Sequence, residues 1–379
     1  MYNVGIIALS SLICAYAVFT GLLAYFWIRL KSSPSRTSPF RTRISVVIPV
    51  RDEAATIGQL IEDLNDQRYT STLFEVLVVN DSSTDDTARI VKSYVHKSTF
   101  HLRLIDLPTE ANPISPKKRA IETALREATG ELIVTTDGDC RVGPDWLSSI
   151  VETYQTQGAK IISGPVTFTR EQTFFDYLQT VEFSSLIGSG ASSLAAGKAT
   201  LCNGANLAYE KKVFDEVGGF AGNENIASGD DEFLFHKIAQ RYPEGTYFLK
   251  DQRAIVQTTP HRRWEDFFRQ RKRWASKWKH YKNPASLLVA LFVFAANLSL
   301  ILLLVLGLGG YISWLLVGVL LLIKWVPEWV FIGNVLRFLK KKSAILYIPL
   351  VQLVYPFYVT FFGLVAQKPT YVWKGRELR

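Results

Sequence analysis

Ile44-Ser45-Val46-Val47-Ile48-Pro49 is short, β-branched and ended by proline, which reads as a strand buried in a parallel sheet. The signature returns downstream. Phe74-Glu75-Val76-Leu77-Val78-Val79 stops at Asn80-Asp81, Leu102 to Leu107 is a third run, and Leu132-Ile133-Val134-Thr135-Thr136 a fourth. Helical patterns fall between them, over Ala54 to Gln67, Thr84 to Val95 and Lys117 to Thr129. This alternation predicts a parallel sheet with helices on both faces. Ligands of such sheets bind beyond the carboxyl ends of the strands, where Arg51, Asp81 and Asp137 fall.

Past Ile150 the rhythm loosens. Ile161 to Thr169 reads as a strand and Glu171 to Leu194 as a helix, followed by glycines around Gly204, Gly218-Gly219 and Gly229. No internal repeat is visible. From Arg262 to Lys282, Trp264, Phe267, Phe268, Trp274, Trp278 and Tyr281 recur at helical spacing among arginines and lysines. That is the pattern of a helix lying in the headgroup plane of a membrane. Apolar segments follow: Ser286 to Gly309, Tyr311 to Phe331 (interrupted by Lys324, Pro327 and Glu328) and Ala344 to Ala366 (broken by Pro349 and Pro356).

Upstream, Met1 to Ile28 carries no charge and is long enough to cross a hydrocarbon core. It lacks the basic start and small-residue cleavage site of a signal peptide, so an anchor is expected. Arg29, Lys31, Arg36, Arg41 and Arg43 follow at once, which predicts a cytoplasmic face of the cell membrane for the middle of the chain. Arg337, Lys340, Lys341 and Lys342 want the same side, as do Lys368, Lys374, Arg376 and Arg379, so the last apolar segment is expected to be re-entrant or interfacial. The three cysteines form neither a disulfide framework nor a zinc spacing. A net charge of +9 fits an anionic leaflet, and because much of it flanks apolar spans, nucleic acid is not an expected partner. The expected organisation is an anchor over 1–28, a basic linker over 29–43, a cytoplasmic domain over 44–260, an interfacial helix over 261–283, membrane helices over 284–366 and a basic tail over 367–379.

Four places carry chemistry. Asp137-Gly138-Asp139 ends an apolar strand, and in an extended chain both carboxylates face one way. Such hard oxygens suit Mg²⁺ or Mn²⁺ on a diphosphate, although an acidic turn would look the same. Asp81 either caps the following helix or accepts a hydrogen bond from a base N–H. Lys117 and Lys118, at a helix start, could meet phosphate or line a solvated face. Asp230-Asp231-Glu232 follows Gly229 and is either surface or a source of general base. Gln270, Arg273 and Trp274 share one helical face, where an amide, a fixed cation and an aromatic plate could meet a departing diphosphate and a sugar ring.

Taken as an ordered set, these residues resemble the membrane-integrated inverting glycosyltransferases of family 2, relatives of cellulose, chitin and hyaluronan synthases and ceramide glucosyltransferases. The resemblance covers roughly Ile44 to Trp274. It implies an α/β chain with a GT-A fold, a Rossmann-like mixed sheet for nucleotide-diphospho-sugars, between N-terminal and C-terminal transmembrane helices. By it, Pro49, Arg51 and Glu53 belong to the nucleotide-contacting segment, Asp81 to uracil, and Lys118 to the diphosphate. Asp137-Gly138-Asp139 matches D-x-D, with Asp139 the main metal ligand. Gly204 and Asn206 match the G-x-N segment on the acceptor side. Asp230-Asp231 stands where the family has Glu-Asp, making Asp231 the catalytic base, and Gln270, Arg273 and Trp274 complete Q-x-x-R-W. The segment before Lys117, Asn112-Pro113-Ile114-Ser115-Pro116, lacks the glycine often found there.

The implied reaction moves a sugar from a UDP-sugar, with Mg²⁺ or Mn²⁺, to a lipid or a growing glycan. A lipid acceptor is favoured, since a polysaccharide synthase needs a protein-lined export channel and three or four apolar segments are few for one. A non-catalytic scaffold has no need of Asp139, Asp231 and Arg273 together. An oxidoreductase would want G-x-G-x-x-G after the first strand, which is absent. The large polar middle argues against a transporter.

Overall fold

The computed structural model describes residues 2–31, 41–108, 114–226, 228–276, 284–365, 371–373 and 376–378. Arg36, Asn112-Pro113, Trp278, Tyr281, Lys282, Lys368, Lys374 and Arg379 lie outside them. In chain order the first elements are α1 (Tyr2–Arg29), β1 (Ile44–Val50), α2 (Ile57–Asn65), β2 (Phe74–Asn80), α3 (Thr87–Tyr94), β3 (His101–Asp106), α4 (Pro116–Glu127) and β4 (Leu132–Thr135). Next come α5 (Trp146–Gln157), β5 (Ile161–Ser163), β6 (Val166–Phe168), α6 (Phe174–Ala195), β7 (Leu207–Glu210), α7 (Lys211–Glu216) and α8 (Asp230–Arg241). The last are β8 (Thr246–Phe248), β9 (Val256–Thr258), α9 (Trp264–Ser276), α10 (Pro284–Leu308), α11 (Trp314–Phe338), α12 (Ile348–Val365), β10 (Tyr371–Trp373) and β11 (Arg376–Leu378).

These elements form two units. A sheet unit takes Leu30–Arg170, Ser193–Pro260 and Val372–Arg379, and a helical unit takes Met1–Arg29, Glu171–Ser192 and His261–Tyr371. The expected continuous stretch over 44–260 is therefore interrupted, because most of α6 packs with the helical unit.

The sheet unit holds seven strands in the order β3-β2-β1-β4-β7-β5-β8. Its first four are parallel, as the apolar runs predict: β1 pairs with β2 from Ile44↔Phe74 to Val50↔Asn80 and with β4 on its other edge. Val47, Leu77, Val79 and Ile133 are buried together with Ala120, Ile121, Ala124 and Leu125 of α4. Full burial of such aliphatic side chains contributes about 1.5–3 kcal/mol each. The sheet is mixed because β7 inserts antiparallel between β4 and β5. The strand expected over Ile161 to Thr169 splits at Gly164-Pro165 into β5 and β6, and β6 leaves the main sheet to pair with β9. Pro165 has no N–H to continue the ladder, and Asn206 fills the turn: a Cβ on Gly164 would lie 2.2 Å from its Nδ2, which donates to the Pro165 carbonyl at 2.9 Å.

In the helical unit, Val4–Arg29, Ser286–Leu308, Trp314–Phe338 and Lys342–Val365 are each long and apolar enough to cross a membrane. Lys324, Pro327 and Glu328, which interrupt the apolar pattern, do not interrupt the helix. α11 runs through all three, since Lys324 and Glu328 are one turn apart and neutralise each other, Nζ to Oε1 at 2.6 Å. α12 likewise carries Pro356 inside it.

Candidate active site

The carboxyl ends of β1 and β2 are zipped together by their loops. Arg51 Nη1 donates to the carbonyls of Asp81 at 2.7 Å and Ser82 at 3.0 Å. Asp52 and Ser82 both take left-handed backbone, with φ of 52° and 56°, a conformation that non-glycine residues hold only when neighbours fix it. Those neighbours are present: Asp52 N donates to Ser83 Oγ at 3.0 Å, and Asp52 Oδ1 accepts from Thr84 N at 2.7 Å. Glu53 N donates to Thr87 Oγ1 at 2.8 Å. Asp81, at the end of β2, is buried, with its amide on the Val50 carbonyl at 2.9 Å.

Asp137-Gly138-Asp139 is a turn and not an extension of β4, closed by Cys140 N on the Asp137 carbonyl at 3.1 Å. The same-side argument for residues two apart therefore does not apply. Gly138 is required because a Cβ would meet Val50 Cγ1 at 2.8 Å. Asp137 Oδ1 accepts from Lys117 Nζ at 2.7 Å, whereas Asp139 Oδ2 accepts from Thr258 Oγ1 at 2.9 Å. Cys140 is buried beside them. Burial, Asp139 and Asp137 push its thiol well above the usual range, which keeps it protonated.

Asp231 is the second residue of α8 and is held by backbone. Its Oδ2 accepts from Gly204 N and its Oδ1 from Glu232 N, both at 2.8 Å. Helix N-termini favour negative charge, and Asp230, Asp231 and Glu232 all sit in the first turn. Gly204 is placed by Thr135 of β4, whose Oγ1 donates to the Gly204 carbonyl at 2.8 Å.

Lys117 joins the two carboxylate groups. Besides Asp137, its ammonium lies 3.4 Å from Asp230 Oδ2. Burial alone would lower its pKa, but Asp137, Asp230 and Asp231 outweigh burial and push it above the ordinary lysine value.

Two expected site residues have other partners. Lys118 is 3% exposed, donates to the Asn223 and Ile226 carbonyls and lies over the rings of Phe220 and Phe233. Asn206 is buried, with Nδ2 on the Pro165 and Ala254 carbonyls and Oδ1 accepting from Trp146 Nε1. Gln270, Arg273 and Trp274 belong to the helical unit. There the Trp274 indole stacks on Phe183, centroids 5.9 Å apart, and under Arg271 at 4.3 Å. Thr258 and Thr135 escaped the sequence reading, since only strand pairing brings them to Asp139 and Gly204.

Among the described residues no cluster of three or more His, Cys, Asp or Glu side chains could cage a metal. A divalent ion on one or two carboxylates plus substrate phosphates needs no such cage. Asp137 and Asp139 are the candidate carboxylates, and Asp137 already pairs with the Lys117 ammonium.

Two family models match. The one described as "Glycosyl transferase family 2" covers residues 45–218, and "Glycosyl transferase family group 2" covers 132–361. Among curated relatives, the glycosyltransferase AglE of Haloferax volcanii is 29% identical over 194 residues, 51% of this chain and 60% of AglE. A beta-monoglucosyldiacylglycerol synthase of Nostoc sp. is 25% identical over 234 residues, 61% of this chain and 48% of the synthase. The matches thus span about half to three fifths of these relatives. In structure, the mannosyltransferase PcManGT from Pyrobaculum calidifontis, solved with GDP-Man and Mn²⁺, aligns with a TM-score of 0.61 at 18% identity over 93% of this chain and 99% of its own. The chain belongs to glycosyltransferase family 2 and carries the GT-A fold of that family.

Proposed function

We propose that the protein is a membrane-bound inverting enzyme that moves a sugar from a UDP-sugar to a lipid acceptor at the cytoplasmic face of the membrane. One observation carries the reading: a carboxylate fixed by two backbone N–H groups at a helix start, Asp231, beside a lysine that links the D-x-D turn to Asp230. Asp231 takes the proton of the acceptor hydroxyl as its oxygen bonds to the anomeric carbon. The bond from that carbon to the diphosphate oxygen breaks, and its electron pair leaves with the nucleotide. A divalent ion held by Asp137 and Asp139 would supply positive charge to that diphosphate.

Lys117, already between carboxylates, is the better candidate for the diphosphate than Lys118, whose ammonium serves backbone carbonyls. Gly204 acts on the acceptor side through Asp231, and Asn206 supports it from the interior. Pro49, Arg51 and Glu53 shape the nucleotide loop, with Asp81 accepting from the uracil N–H. Gln270, Arg273 and Trp274 serve the leaving diphosphate and the acceptor, as the family resemblance implies. The lipid acceptor draws support from the diacylglycerol named for the Nostoc relative and from the four apolar helices.

The test is transfer of label from UDP-glucose, UDP-galactose, UDP-N-acetylglucosamine and GDP-mannose in membranes carrying wild type or Asp231→Asn, with Mg²⁺ or Mn²⁺. Label in the organic extract that depends on Asp231 and on a UDP-sugar supports the reading. Label in a high-mass polymer would make the enzyme a synthase, and near-normal transfer by Asp231→Asn would sink the assigned base. Absence of metal-dependent UDP binding would point to a scaffold.

A further inference from the structure

Arg271, inside the Gln270 to Trp274 motif, reads in sequence as one more charge on a basic amphipathic helix. The structure buries it. Arg271 is 3% exposed, while Arg263 and Arg269 on the same stretch are 68% and 55% exposed in their side chains. Its guanidinium forks onto Glu182 of α6, with Nε at 3.0 Å from Oε1 and Nη2 on Oε2. Tyr358 of α12 donates to the same Oε1 at 2.9 Å.

Two further contacts of Arg271 fall on the motif itself. Nη1 donates to Gln270 Oε1, and the guanidinium carbon lies 4.3 Å from the centroid of the Trp274 ring. Phe267, one turn earlier, lies 4.5 Å away. Trp274 also stacks on Phe183, the neighbour of Glu182.

Holding α6, α9 and α12 together does not require charge. Apolar side chains of similar volume commonly match or exceed the net stability of a buried ion pair. What an apolar set cannot do is orient an amide and an indole through a planar, bidentate fork. We propose that Glu182, Arg271 and Tyr358 form a positioning clamp that sets the orientation of Gln270 and Trp274 and ties it to α12. The clamp rests on the reading that these two motif residues serve the transfer. Arg271 and Glu182 are positioning residues and need touch no substrate.

The test uses full-length protein in lipid nanodiscs containing the extracted acceptor fraction and the UDP-sugar that labels it. Three variants are compared with wild type: Arg271→Met with Glu182→Met, Tyr358→Phe, and Arg271→Lys. The double variant is expected to unfold close to the wild-type temperature while kcat falls about 10- to 100-fold, with KM for the donor nearly unchanged. Arg271→Lys restores little, because an ammonium neither forks nor stacks as a guanidinium does. Wild-type kcat in a folded double variant overturns the clamp. Should that variant not fold, Tyr358→Phe decides: a fall of about threefold or more supports the clamp and an unchanged kcat overturns it. The underlying reading fails separately. If Gln270→Ala and Trp274→Ala leave kcat unchanged in an Asp231-dependent enzyme, the motif has no part in the transfer and the clamp falls with it.

Discussion

Lys117 and Lys118 are adjacent in sequence and opposite in consequence. Lys118 satisfies two carbonyls in a buried pocket, so Lys118→Met is expected to cost about 2–3 kcal/mol of folding stability, read by thermal unfolding. Lys117→Met should lower kcat beyond what its lost ion pairs cost in stability, because its ammonium faces Asp137 and Asp230. Loss of stability without loss of rate in Lys117→Met would reverse the assignment. The folded pKa of Lys117 is raised above its unfolded value, so its contribution is complete below about pH 10.4 and fades only as pH climbs through the folded value. Its ion pairs should therefore not titrate across neutral pH. Gly204 gives a second test at this scale. A Cβ there would sit 3.1 Å from Asp231 Cβ and 3.4 Å from its Oδ2. Gly204→Ala should push the carboxylate off its backbone donor and lower kcat by about tenfold or more, with little change in donor KM. An unchanged kcat would mean that the Gly204 contact does not set the base. The type of residue was legible here, since carboxylates at strand and helix ends are what the chemistry needs. Which lysine faces them was not, because that depends on one residue of helix rotation.

At the scale of elements, the parallel half of the sheet was legible because both faces of β1, β2 and β4 are buried, which leaves continuous apolar runs, with β3 a half-buried edge strand. β7 was not, being four residues long and set among glycines. The split between β5 and β6 had a local signal in Gly164-Pro165, where proline has no N–H for the ladder, but the Asn206 amide that fills the turn could not be foreseen. α6 shows a third kind of limit. Its helical span was readable, but nothing in its pattern tells which unit it joins. Gly188 records the answer: a Cβ there would lie 2.5 Å from Val335 Cγ2 and 2.9 Å from Phe331 Cζ of α11. Gly188→Leu should overpack this contact and destabilise the helical unit by about 1–3 kcal/mol, visible as a lower unfolding temperature in detergent. A neutral or stabilising result would show that α6 and α11 are not in close contact in solution.

At the scale of the whole molecule, a polar cluster joins α1, α11 and α12 of the helical unit, which lie far apart in the chain. Glu328 of α11 accepts from Lys324 at 2.6 Å, from Tyr16 of α1 at 2.9 Å and from Gln352 of α12 at 3.1 Å. Lys324 is fully buried and lies over the Tyr16 ring at 4.9 Å. In sequence these residues looked like breaks in a span, because hydropathy prices each charge alone and cannot see that its partner is one turn away. Glu328 thus takes hydrogen bonds from α1, α11 and α12, and Gln352 also donates to the Trp325 carbonyl, so the cluster locks these three helices in register. Ionisable groups among apolar helices more often mark a transport or proton path, and the two roles separate experimentally. Lys324→Met alone strands a buried carboxylate and should destabilise by about 3–5 kcal/mol, while Lys324→Met with Glu328→Met should recover most of that loss. Thermal unfolding in detergent reads the stability and sugar transfer reads the function. Recovery of both in the double variant fits a register lock. Recovery of stability with transfer still lost would give the pair a chemical role that the geometry does not call for, and a double variant as unstable as the single would mean that the pair is not the unit holding these helices.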